Sequence, residues 1–209
     1  RRQRQMCIRD SWNWMDPSIG NLQPVLNSYW LMIHVAIIVG SYGPFTLGMI
    51  LGLITLLLMI LTSEKNKEKM ALNIKELTII NEMALTVGLV MLTIGNFLGG
   101  MWANESWGRY WGWDPKETWA LISIMIYAFV IHMRLIPGLR SRFGFSVASV
   151  VAFGSIMMTY FGVNFYLAGL HSYAKDDQEI SITYIVVALV SLTFISILAY
   201  RKYKKYFLN

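Results

Sequence analysis

Five long apolar runs, at about residues 29–61, 77–99, 118–133, 145–167 and 182–200, occupy most of a chain of 209 residues. Roughly 20 apolar residues cross a hydrocarbon core as a helix. Lipid offers open backbone no hydrogen-bond partner, so each run is expected to be helical. The fold class this implies is all-α: a polytopic integral membrane helix bundle with about five transmembrane helices and an external tryptophan-rich loop. Charge agrees, since only 14% of residues are charged where a soluble domain carries about 25%. Mean hydropathy is +0.47, and no length remains for a separate soluble domain. The net charge of +6 would suggest nucleic acid in a soluble protein, but the cations cluster at the ends of apolar runs, where membrane orientation explains them; no nucleic acid partner is expected. The single cysteine, Cys7, cannot build a disulfide framework or a cysteine metal site from this chain alone.

The first run is too long for one perpendicular crossing. Ser41, Tyr42, Gly43 and Pro44 interrupt it, which predicts a break with the preceding residues, His34 among them, forming an extension above the bilayer. The chain opens Arg-Arg-Gln-Arg-Gln with no apolar stretch behind it, unlike a signal peptide. Residues 1–27 are therefore expected to be an external, truncated N-terminal segment ahead of a membrane domain over 28–209, as in a fragment of a longer polypeptide. Lys65, Lys67, Lys69 and Lys75 follow the first run, Arg134, Arg140 and Arg142 the third, and Arg201, Lys202, Lys204 and Lys205 the fifth. By parity these fall on one face, which the positive-inside rule makes cytoplasmic. The opposite connections are diluted by Glu105, Asp114, Glu117, Asp176, Asp177 and Glu179. The N-terminal Arg1, Arg2, Arg4 and Arg9 would lie outside, against the rule, unless earlier spans set the topology.

On this map residues 100–119 form an outer loop. Five of the eight tryptophans fall here, Trp102, Trp107, Trp111, Trp113 and Trp119, interleaved with Gly108 and Gly112. An interfacial aromatic belt needs one or two rings per helix end, whereas this density can present flat indole faces to a large planar ligand, with glycines admitting close approach. Composition leaves belt and platform equally open. Asp114, Pro115 and Glu117 read as a helix start, with a capping aspartate, proline at the first position and a capping-box partner three residues on; for Asp114 that structural reading is the stronger one. Asn81 and Glu82 read as polar groups beginning the second span near the inner face.

Of three histidines, His34 and His171 map beside the tryptophan loop. Two imidazoles facing across a gap can ligate a heme iron axially, although a lone histidine more often just bonds a neighbouring backbone group. His132 lies on the order of 20 Å below that loop along the third span, so it cannot join the pair and would need a second ligand from elsewhere.

The stretch Trp107-Gly-Arg-Tyr-Trp-Gly-Trp-Asp-Pro-Lys-Glu-Thr-Trp-Ala-Leu-Ile122 resembles the tryptophan-rich motif of the CcsA/ResC heme-handling proteins of system II cytochrome c biogenesis. Ser28-Tyr-Trp-Leu-Met-Ile-His34 resembles that family's first external heme histidine segment, and Gly162-Val-Asn-Phe-Tyr-Leu-Ala-Gly-Leu-His171 its second. System I proteins with such a loop continue differently after the Trp-Asp pair. The resemblance implies that His34 and His171 are axial ligands of an external heme b against a platform of Trp102, Trp107, Trp111, Trp113, Asp114 and Trp119, and that His132 is one ligand of a heme within the membrane. Arg109 and Lys116 are candidates for the propionates, or equally solvated loop charges. Also implied are a CcsB (ResB-like) membrane subunit or fused domain that supplies the family's other transmembrane histidine, an apocytochrome c bearing Cys-X-X-Cys-His, and thiol-reducing thioredoxin-like proteins. The expected function is heme delivery across the membrane and presentation for thioether attachment, a heme lyase activity shared with the partner, in a bacterial inner membrane with the site outward or in a thylakoid membrane. The alternative from the residues alone is a transporter or quinone-linked subunit with a tryptophan-lined cavity and proton-relaying histidines, which predicts no bound chromophore.

Overall fold

Helix α1 runs unbroken from Tyr29–Leu61 in a computed structural model that describes residues 28–167 and 182–207. The break expected at 41–44 is absent. Pro44 removes one backbone donor, and nearby hydroxyls hold adjacent carbonyls: Ser41 Oγ donates to Ile38 O at 2.6 Å and Thr46 Oγ1 to Tyr42 O at 2.7 Å. In lipid no water would capture an opened turn, so the helix continues. His34 therefore lies on the second turn of one helix about 50 Å long.

Helix α2, Lys67–Trp107, has 41 residues and outruns the expected span at both ends. It stops at Gly108, whose φ of 69° is the left-handed conformation that closes a helix, with Gly108 N donating to Asn104 O at 2.9 Å. Helix α3, Pro115–His132, begins as the sequence indicates: Lys116 N donates to Asp114 Oδ2 at 3.2 Å, and Glu117 reaches back in a capping box. Helix α4, Arg142–Met157, is capped by Ser141, whose Oγ accepts from Gly144 N at 2.9 Å. It passes through a π-helical turn, Met158–Gly162, into a last turn, Val163–Tyr166. Helix α5 spans Ile182–Phe207. All five are long and apolar enough to cross a membrane.

Without a hydrophobic drive between helices in lipid, small residues decide which backbones approach. Gly95 lies against Ile38, Gly88 against the Phe45 ring and Gly48 against Leu85, which fixes α1 antiparallel to α2. Further along the same stripe of α1, Gly52 meets Ser146 and Ser149 of α4. The central core gathers Phe45, Leu85, Leu92, Tyr127, Phe145 and Ile156, with Phe45 and Tyr127 stacked at 3.9 Å. A second cluster, Leu56, Met59, Ile74 and Ala199, joins the lysine-rich ends of α1, α2 and α5. The other half of α5 exposes Ile182, Ile185, Leu189 and Val190.

Asn81 and Glu82 differ from the sequence reading. Because α2 starts at Lys67, Asn81 sits deep in the bundle, fully buried, and Nδ2 donates to Ser149 Oγ at 3.1 Å. Glu82 pairs with Arg134 just beyond the end of α3. Both are inter-helix links rather than helix-end groups.

Candidate functional site

Only part of the segment 100–119 is a loop. Trp102 and Trp107 ride on the last turns of α2 and Trp119 on the second turn of α3, leaving 108–114 as the connection. That connection is organised by Glu117. Its Oε2 accepts from Gly112 N at 2.8 Å and Asp114 N at 3.3 Å, while Oε1 lies 3.8 Å from the Arg109 guanidinium. Arg109 also sits over the Trp107 ring, 5.4 Å from its centroid, and crosses Gly112 so closely that a Cβ there would collide with it. The glycine is what lets the loop fold over its own arginine. Trp113 adopts φ 57°, uncommon for a bulky residue, and stands 72% exposed.

Beneath the loop is a cavity of about 290 Å³ enclosed by the loop-side ends of α1, α2, α3 and α4. His34 from α1 lines it, 7% exposed, its imidazole stacked on Trp102 at 5.3 Å and 20°. Gly99 of α2 makes the room, since a Cβ there would stand 3.3 Å from His34 Nδ1. Trp102 in turn meets Trp107 edge-on at 4.7 Å. Leu31, Val35, Ile38, Val39 and Ala120 give apolar walls, with Lys116, Glu117, Tyr110 and Trp111 near the loop and Asn96, Tyr42, Thr159 and Tyr160 deeper. A large apolar wall with a few convergent polar groups is how small-molecule sites are built.

The tryptophans therefore divide. Trp102 and Trp111 line the cavity, whereas Trp107, Trp113 and Trp119 do not. Trp113 packs edge-on against Trp111 at 5.7 Å, and Trp119 O accepts from Thr159 Oγ1 at 3.2 Å. Asp114 is buried as the cap of α3. Lys116 lines the cavity, while Arg109 is turned toward Glu117 and Trp107. His171 lies outside the described residues. His132, the last residue of α3, is exposed and far from this cavity; its Nδ1 lies 2.7 Å from Ala128 O. With the proton on Nδ1 donated to that carbonyl, Nε2 presents its lone pair away from the helix.

Three contributors were not legible as site residues: Asn96, Gly99 and the π turn that brings Thr159 and Tyr160 to the cavity. A five-residue π turn is a known companion of functional sites, but its signal in sequence is negligible. Among the described residues no three His, Cys, Asp or Glu side chains converge to chelate a bare ion. A single imidazole in an apolar cavity suits instead a metal that brings its own equatorial ligands. The buried Trp111 indole N–H, without a hydrogen-bond partner among the described residues, further fits a cavity that receives a ligand with acceptor groups.

Residues 13–171 match the cytochrome C assembly protein family. The chain is 56% identical over 163 residues to the protein NrfI of Wolinella succinogenes, covering 78% of this chain and 18% of that protein. It is 34% identical over 196 residues to the cytochrome c biogenesis protein CcsA of Cyanophora paradoxa, 74% of this chain and 61% of the relative, and 39% identical over 153 residues to CcsA of Chlamydomonas reinhardtii, 73% and 42%. The chain thus spans less than two thirds of the length of each.

Proposed function

Since the chain belongs to the cytochrome C assembly protein family, whose work is the biogenesis of cytochrome c, we propose that its His34 cavity receives heme b and presents it to an apocytochrome c for thioether attachment. The observation that carries this reading is His34 itself: a buried imidazole, stacked on Trp102, at the wall of a mostly apolar cavity beneath the tryptophan loop. His34 and His171 would hold the heme iron, and the heme would supply the vinyl groups that receive the thiols. Trp102 and Trp111 offer indole surface to the macrocycle, and Lys116 is the cation positioned for a propionate. Arg109, engaged with Glu117 and Trp107, serves the loop first.

The chemistry of attachment is addition of two cysteine thiols of the apocytochrome Cys-X-X-Cys-His motif across the heme vinyl groups. This chain contributes position: holding two reactants in register can supply roughly 7 to 11 kcal/mol of a barrier. Glu117 keeps the loop folded over the cavity, and the apolar walls exclude water. The histidine of the arriving apocytochrome could take the place of His34 or His171, which would couple attachment to release. His132, with Nε2 directed outward from α3, is the ligand of a second heme site completed by a CcsB-like membrane partner, through which heme passes before reaching His34. Thioredoxin-like proteins keep the acceptor thiols reduced. The lysine-rich ends lie in the cytoplasm and the cavity opens on the opposite face, of a bacterial inner membrane or a thylakoid membrane.

His34→Ala and His171→Ala, made separately in the full-length protein, are expected each to lose a fraction of the heme that copurifies and to alter the Soret band. A heme content and spectrum equal to the parent's in both variants overturns the ligand assignment.

A further inference from the structure

Asn96 lines the cavity from α2, one turn before Gly99 and Gly100, and its neighbour Gly95 packs against Ile38, another lining residue. A carboxamide inside a membrane helix normally bonds a neighbouring helix, because an unmet polar group in hydrocarbon is costly. Asn81, about four turns earlier on the same helix by α-helical spacing, does so with Ser149. The hydroxyl of Thr93, beside Asn96, bonds the Leu89 carbonyl at 2.7 Å. Asn96 has no such hydrogen bond among the described residues, and what it borders is the cavity. The Trp111 N–H, also on the cavity wall, is a second donor lacking a partner among the described residues. Two neutral donors open on one cavity that also carries Lys116, while the carboxylate on its wall, Glu117, is already engaged by Arg109 and by the Gly112 and Asp114 N–H groups; together they favour a ligand with hydrogen-bond-accepting, anionic groups. The low dielectric there strengthens each such bond.

From this we infer that Asn96 is a ligand-positioning and specificity-determining residue. Its carboxamide donates to one carboxylate of the bound porphyrin while Lys116, nearer the loop, meets the other, and the two contacts at different depths fix how the macrocycle is turned relative to His34. The inference rests on the porphyrin reading of the cavity. It adds a residue that distinguishes a porphyrin dicarboxylate from an equally flat, equally apolar porphyrin lacking the charges. A hydrogen bond to a charged group contributes enough to change affinity by roughly tenfold or more.

The test is carried out on the full-length protein expressed under heme limitation and titrated with heme and, separately, with heme dimethyl ester. Asn96→Leu keeps the volume and removes the donor. It is expected to weaken heme binding by roughly tenfold while ester binding stays near the parent's, so that the preference for heme narrows. The heme-free variant should melt at or above the parent temperature, because a leucine there gives up no inter-helix bond. Unchanged binding of both ligands, an equal loss for both, or a heme-free variant that melts lower or fails to accumulate overturns the inference; the last two outcomes make Asn96 a packing residue. His34→Ala in the same titrations separates the two levels. If it binds heme as the parent does, the porphyrin reading itself fails; if it does not, while Asn96→Leu keeps the parent's preference, only the role of Asn96 falls.

Discussion

Trp113 holds a backbone conformation that a bulky side chain seldom adopts. Its φ of 57° belongs to a region that costs a bulky residue on the order of 1 to 3 kcal/mol. What it gains in return is an edge contact with Trp111, of about 0.5 to 1.5 kcal/mol, and the ring is otherwise exposed. Trp113→Gly is therefore expected to leave the thermal midpoint unchanged or raised while lowering the yield of matured cytochrome; a fall like that of a core tryptophan, about 3 to 5 kcal/mol, would show that the ring is structural. At this scale local chemistry was readable. The Asp114 cap, Pro115 and the Glu117 partner follow from four adjacent residues, and the structure contains them. The same Glu117 carboxylate also gathers Gly112 N–H and Arg109, which a capping pattern does not encode because it depends on how the loop turns back. Asn96 carried no signal either: an asparagine in an apolar run is identified as ligand-facing only once its neighbours are known to leave it unbonded.

Among the elements, apolar length located all five helices but not their ends. Helix α1 has the limits expected from the sequence, yet runs through 41–44 because a proline deprives a membrane helix of one bond while a break would strand several groups. Helix α2 exceeds its apolar run since helix geometry continues past the lipid boundary into residues 67–76 and 100–107, where hydropathy gives no warning. The contacts between elements depend on glycines that periodicity ignores. A Cβ at Gly52 would stand 2.9 Å from the Ser146 carbonyl oxygen and 2.5 Å from Ser149 Oγ; the first of these is backbone and cannot rotate away. Gly52→Val should destabilise the bundle by roughly 1 to 3 kcal/mol, separating α1 from α4. Gly43→Ala, where nothing lies within 4 Å, should be neutral or stabilising by up to about 1 kcal/mol. Denaturation midpoints in detergent compare the two directly, and equal midpoints would contradict the close α1–α4 approach.

At the scale of the whole molecule, the cavity is built by segments far apart in sequence that arrive at one end of the bundle. His34, Gly99, the loop after Gly108, the start of α3 and the π turn of α4 come from four helices, and up-and-down parity alone predicted that their ends would share a face. Parity did not say which tryptophans would look inward: of five, Trp102 and Trp111 line the cavity, because a helix continuing to Trp107 and a turn at Gly108 divide them by direction. His132, expected well away from the loop, lies at the opposite end of α3 from it and is exposed. The central claim is that the His34 imidazole is bonded to a metal carried in this cavity, and exogenous imidazole tests it most directly. In the full-length protein His34→Gly should lose heme from the external site and regain it, with the parent's low-spin visible spectrum, when imidazole is added. Retention of the parent's heme and spectrum without imidazole would contradict the account, as would a loss that imidazole does not repair.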